Sequence, residues 1–248
     1  MKKFGKWTLI TIIWLAVWQA AAMIAGSEVY LSSPVATLKT LFSLFGEEEF
    51  FASVGLTLVR ILCGFLFGLI FGILLAVISH KSSFMRDLLK PLLYIIKATP
   101  VASFIILALV WFTKTNIPIL TSALIVTPVA YANIFSGLCQ IDDKLLEMAQ
   151  CFDMSGGARL KHIVLPSLRP FFHAAVTASL GMAWKAGVAA EVIASPKLSI
   201  GAQLFDAKIY LETDRLFAWT IVVIILSVLI EKLLVSVLKR LEGRRRDA

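Results

Sequence analysis

From Ile61 to Ser79 the chain carries no charged side chain. A run of about 18 or more apolar residues is long enough to cross a bilayer as a helix. In lipid every backbone N–H and C=O must be paired within the protein, which restricts a spanning segment to a helix or a closed barrel. This run also places Gly64, Gly68, Gly72 and Ala76 at a spacing of four. Four residues return to nearly the same face of a helix, so the four make a smooth stripe against which another backbone can pack closely.

Comparable runs recur along the chain. Thr8–Ser27, Ala98–Thr113, Asn116–Ile141, Pro170–Ile193 and Leu216–Leu238 read as further spans, six in all. Lys97 and Lys114 bound the third as snorkelling ends. In the fourth, Pro118 suits a first turn and Pro128 predicts a kink. Charged residues make up 16% of the chain, against about 25% in a soluble domain. The expected class is an all-α polytopic membrane protein.

The net charge of +8 would fit nucleic acid, but its distribution argues against that partner. Lys2, Lys3 and Lys6 sit at one end, and Lys239, Arg240, Arg244, Arg245 and Arg246 at the other, each beside an apolar run. Cations there set topology. Lys81, Arg86 and Lys90 follow the second run, and Lys144, Arg159, Lys161 and Arg169 follow the fourth. The opposite side holds Lys39, Arg60, Lys114, Lys197, Lys208 and Arg215, together with Glu47, Glu48 and Glu49. This bias places both termini and the loop after the fourth span in the cytoplasm.

The chain divides into residues 1–54, a first span with an external segment; residues 55–240, a core of five spans; and a basic tail, 241–248. Ala20-Ala21-Ala22 resembles a signal-peptidase site, but the length of the first run and its Trp7, Trp14 and Trp18 favour a retained span. In the external segment Leu38, Leu41, Phe42 and Phe45 form an apolar stripe, which predicts a helix at the outer interface. Ser195–Asp214, with Pro196 and Gly201, links spans five and six.

The loop at 142–166 is the longest polar interruption in the second half of the chain. Asp142 and Asp143 suit a helix start, and Leu145, Leu146, Ala149 and Phe152 give the helix an apolar stripe. Gly156-Gly157 ends it, Ser155 caps a second short helix, Pro166 stops that one, and Pro170 starts span five. The turn Met154–Gly157 is expected to be exposed. Such a helix-turn-helix is either an interfacial linker or a surface whose apolar residues enter a partner's groove.

Glu147, Met148 and Ala149, followed by Ile163, Val164, Leu165 and Pro166, resemble the cytoplasmic loop of permease subunits of binding-protein-dependent ABC importers. That motif begins Glu-Ala-Ala and ends hydrophobic-Leu-Pro. Met148 replaces its first Ala, and Asp153 stands where its Gly is expected. "SPVATLKTL", "TLVRILCGFLFGLIFGILLA", "KPLLYIIKATPVASFIILALVWF" and "AWKAGVAAEVIA" are similar to the nitrate/sulfonate/taurine branch of that family. The resemblance implies a six-span, MetI-like type I importer fold in a bacterial inner membrane, paired with a second permease copy as a homodimer. It implies an external substrate-binding protein and two cytosolic ATPase subunits docked on a coupling loop that comprises Glu147, Ala149, Phe152, Asp153, Met154, Ser155, Gly156, Gly157, Leu165 and Pro166. No Gly-x-x-x-x-Gly-Lys-Ser/Thr occurs in the chain, so ATP and Mg belong to the partner and this chain binds no cofactor and is no enzyme.

Lys185 lies well inside span five and Glu191 near its outer end. Ionisable residues within spans mark transport paths, so both are candidates for a translocation path taking a small anion. Alternatively Lys185 snorkels, or pairs with a carboxylate such as Glu231. His80 and His173 are expected at interfaces and His162 in solvent. Cys63, Cys139 and Cys151 lack metal-like spacing and read as small buried apolar side chains. A secondary transporter would show internal duplication and a membrane enzyme clustered catalytic residues, and neither is present.

Overall fold

A computed structural model describes residues 2–243, with side chains described over 5–238. Lys2, Lys3, Lys239, Arg240 and the cations of the tail therefore lie outside the described side chains. No strand occurs among the described residues. Among the described residues five helices are long and apolar enough to cross a membrane, and a bent pair makes a sixth candidate.

The first helix, α1 (Lys2–Ala25), is mostly uncovered by the rest of the chain. It is held through Trp18, whose indole N–H donates to the Ser32 carbonyl at 3.0 Å and whose ring stacks on Phe217 at 5.6 Å. Helix α2 (Pro34–Leu44) starts at Ser33, whose hydroxyl accepts from the Ala36 amide. Of the expected stripe only Leu41 is buried; with Pro34, Thr37 and Leu44 it forms the covered face. Leu38, Phe42 and Phe45 are exposed, so α2 is apolar on two sides. Its packed side meets a helix far along the chain, α11 (Thr213–Gly243), where the Thr40 hydroxyl donates to Asp214.

The second span is longer than the uncharged run that announced it: α3 covers Glu48–Lys81. Glu48 and Glu49 in its first turn and His80 and Lys81 in its last complement the helix dipole. Helix α6 (Ile117–Cys139) packs along its glycine stripe. A Cβ added to Gly64 would lie 2.3 Å from the Ile119 carbonyl oxygen; at Gly68 it would lie 2.6 Å from that of Ala123, and at Gly72 2.7 Å from that of Thr127. The opposing atoms include backbone, which cannot step aside. Lipid tails are as apolar as leucine, so close backbone packing, rather than exclusion of water, holds spans together. The other face of α3 carries Phe67, Ile70, Phe71 and Leu74, all exposed, as a lipid-facing surface requires.

The third span departs from expectation. In place of one helix over Ala98–Thr113, α4 (Ser83–Ala98) and α5 (Val101–Ala108) meet at 100°. The cause is Pro100. A proline disfavours helical backbone at the residue before it, and Thr99 is extended at φ −78°, ψ 131°. Pro118 falls in the first turn of α6 as read from sequence, and Pro128 lies inside the helix without ending it. Next to Pro128, the Thr127 hydroxyl donates to the Ala123 carbonyl at 2.7 Å.

The remaining elements are α7 (Asp143–Cys151), α8 (Gly156–Arg159), α9 (Leu165–Ala194) and α10 (Ile200–Ile209). Between α8 and α9, Leu160–Val164 forms a π-turn. Pro166 therefore does not stop a helix, nor does Pro170 start one: Gly156–Ala194 is one helical run. The π-turn displaces the hydrogen-bond ladder by one residue ahead of Pro166, with the Leu165 amide donating to Leu160. The Ser167 hydroxyl donates to the Ile163 carbonyl at 2.8 Å. Helices α3, α6 and α9 form the centre of the bundle, and the Trp184 indole ties α9 to the Val223 carbonyl of α11 at 3.2 Å.

Candidate functional site

The loop between α6 and α9 is ordered by its own polar groups. The Asp142 carboxylate accepts from the Lys144 amide at 2.9 Å and caps α7. The Ser155 hydroxyl accepts from the Ala158 amide at 3.3 Å and caps α8. Between the two caps, α7 ends in a six-to-one and five-to-two pair of hydrogen bonds. The Met154 amide donates to the Ala149 carbonyl at 2.9 Å, and the Asp153 amide to Gln150 at 3.0 Å. This is a Schellman closure, whose turning residue must be left-handed. That residue is Asp153, at φ +45°. Here is the physical reason a glycine suits the position: a Cβ disfavours this conformation, and Asp is among the side chains that tolerate it best.

The apolar stripe of α7 splits. Ala149 is buried and Leu146 half-buried, while Leu145, Met148 and Phe152 are exposed, Phe152 at 76%. Glu147, Ser155, Gly156 and Gly157 are exposed beside them, whereas Met154 is half-buried. The rigid turn thus presents three apolar side chains outward. Leu165 is exposed and Pro166 half-buried at the start of α9, with the π-turn between them and α8.

Lys185 and Glu191 do not share a face. Lys185 is exposed on α9 between buried Trp184 and Ala186, and among the described residues it has no ion pair, with Glu231 or any other carboxylate. Glu191 is wholly buried. It accepts from the Thr57 hydroxyl at 2.8 Å, from Arg60 at 3.3 Å and from the Gly201 amide at 3.3 Å. A Cβ on Gly201 would sit 2.2 Å from the Glu191 Cβ, so only glycine lets α10 approach this closely. Arg60, counted from sequence among the external cations, is buried inside α3 and also donates to the Lys197 and Leu198 carbonyls, both at 3.2 Å. Ser195 and Leu198 both have positive φ, so Arg60 braces a strained connection. Arg60 and Thr57 escaped sequence reading; the only available signal was a lone cation one residue before an uncharged run.

The cysteines also differ from expectation: Cys63 is half-buried, but Cys139 and Cys151 are exposed. Cys139 Sγ lies 3.9 Å from His80 Nδ1. His162 is exposed. Among the described residues no group of three or more His, Cys, Asp or Glu is placed to hold a metal ion.

Long lipid-facing helices, a broken span and one capped, ordered loop define a polytopic α-helical membrane protein. A family model described as binding-protein-dependent transport system inner membrane component matches residues 68–247, and the chain belongs to that family. It is a multi-pass inner-membrane permease component. The permease SsuC of Escherichia coli (strain K12), assigned to aliphatic sulfonates transport, is 30% identical over 236 residues, covering 92% of this chain and 88% of that protein. The taurine transport system permease protein TauC of the same strain is 25% identical over 244 residues, covering 96% and 87%. The nitrate import permease protein NrtB of Synechococcus elongatus is 26% identical over 222 residues, covering 84% and 77%.

Proposed function

We propose that the chain forms half of the translocation path of an ATP-driven importer for a small anion of the sulfonate, taurine or nitrate kind, and that residues 142–166 couple it to a cytosolic ATPase. The relatives named for those solutes support the substrate class. The observation that carries the coupling role is the outward display of Leu145, Met148 and Phe152 on a helix fixed at both ends. A preformed helix with apolar anchors enters a groove without an ordering cost. ATP and Mg bind the ATPase subunits, two per transporter, and this chain binds no cofactor. An external binding protein delivers the solute, and a second copy of the chain completes the path. Both termini are cytoplasmic. ATP-driven closure of the ATPase pair would displace the loop and switch the path between two states. Exposed Lys185 faces that path and attracts the anion.

Phe152→Ser tests the coupling role. Because Phe152 is 76% exposed, the permease should fold normally but retain much less of its ATPase partner on co-purification. Full retention would refute docking through α7.

A further inference from the structure

A cleft of about 1020 Å³ opens between the loop and the core helices. Its wall is apolar: Ile73 and Val77 of α3, Ile134 and Leu138 of α6, and Leu168 and Phe172 of α9. Its rim is basic, with Lys81 ending α3, Arg159 ending α8 and Arg169 in the first turns of α9. His80, His173 and Asp143 complete the polar lining. The cations thus face a single carboxylate, and Asp143 sits in the first turn of α7, where the helix dipole already compensates it. Among the described residues Lys81, Arg159 and Arg169 make no ion pair and no side-chain hydrogen bond.

We infer that this cleft binds an acidic phospholipid, with its phosphate among Lys81, Arg159 and Arg169 and an acyl chain against the α3–α6–α9 wall. Two properties select that occupant. The cations demand an anion, while the wall would leave a free hydrated anion in contact with hydrocarbon side chains it cannot hydrogen-bond. The wall residues belong to the last turns of α3 and α6 and the first turns of α9, so an acyl chain reaches them from the bilayer without crossing water. Basic pockets between spans recognise anionic headgroups by the same logic. Leu146 and Asp143 line the cleft from a face of α7 other than the one bearing Met148 and Phe152. A lipid there would buttress the loop from behind and leave the outward face free. Binding itself does not depend on the proposed coupling role.

The test uses the full chain, purified in a zwitterionic detergent, with thermal unfolding followed as phosphatidylglycerol, phosphatidylcholine or inorganic phosphate is added. Phosphatidylglycerol should raise the midpoint at a concentration about tenfold below that needed for phosphatidylcholine, and millimolar phosphate should not. The variant K81Q/R159Q/R169Q should lose that preference while keeping the phosphatidylcholine response. A control with the same charge change at the other end of the bundle, K39Q/K197Q/K208Q, should retain it. Equal potency of the two lipids, a full shift with phosphate alone, or an unchanged preference in the first variant would each overturn the assignment. Should that variant fail to fold, wild-type protein photolabelled with a phosphatidylglycerol bearing a reactive acyl chain decides the matter. Labels concentrated in residues 134–141 and 164–173 support the site, and labels spread over the exposed faces of α1 and α3 refute it.

Discussion

Asp153→Gly isolates the strain in the loop. At φ +45° the aspartate occupies a backbone region that costs a typical L-residue roughly 1–2 kcal/mol, with Asp near the low end. Glycine removes that cost but gives back part of it, because its unfolded chain is freer, by roughly 0.5–1 kcal/mol in ordinary conformations. The net expectation is a closure more stable by up to about 0.5 kcal/mol, with the two hydrogen bonds to Ala149 and Gln150 unchanged. Local opening of those bonds should fall by up to about twofold, since RT is about 0.6 kcal/mol. Hydrogen exchange at the Asp153 and Met154 amides, measured on the solubilised full chain, reads this directly. Asp153→Val should do the opposite, because a β-branched residue at positive φ is a true outlier. Faster exchange in the glycine variant, or wild-type protection in the valine variant, would refute the reasoning. Transport should persist or become better coupled in Asp153→Gly; loss of assembly with the ATPase would show that residues 147–166 are misaligned with the family's loop.

Gly68→Ala drives a Cβ to within 2.6 Å of the Ala123 carbonyl oxygen and 2.7 Å of the Val126 Cβ, so it should cost about 1–3 kcal/mol, seen as a lowered unfolding midpoint; Gly55→Ala, which meets nothing within 4 Å, is the matched control. Arg60→Met leaves Glu191 buried without its cation and frees the Lys197 and Leu198 carbonyls. It should destabilise by about 3–5 kcal/mol, and adding Glu191→Leu should recover part of that loss in the same melt. Lys185→Met should reduce uptake of the anion in cells carrying the whole transporter while ATPase activity of the purified complex persists; undiminished uptake would remove Lys185 from the path.

Much of this protein was legible because lipid imposes a simple rule. Uncharged runs near twenty residues long must be helices, and the glycines of α3 recur at the helical spacing that close packing requires. The caps were legible too, since Asp142 and Ser155 act on amides two and three residues away, a distance sequence alone can measure. The third span breaks where the hydropathy pattern predicts one helix, because such a run does not register the local effect of Pro100 on Thr99. Pro166 and Pro170 do not act as the boundaries that their residue type suggests: a π-turn shifts the hydrogen-bond ladder just ahead of Pro166, Pro170 lies inside α9, and nothing in residue type announces such a turn.

Class and the caps at Asp142 and Ser155 were thus determined by the sequence itself, through helix periodicity and short-range hydrogen bonding, and the motif around Glu147 and Pro166 carried the family resemblance. Tertiary structure alone decided what lies far apart in sequence and meets in space. Arg60 and Glu191, 131 positions apart, close a buried junction at 3.3 Å. Lys81, Arg159 and Arg169 come to one rim only because α3, α8 and α9 converge there. Pattern along a chain reports the face of a helix, whereas the side chain opposite that face depends on how the helices cross.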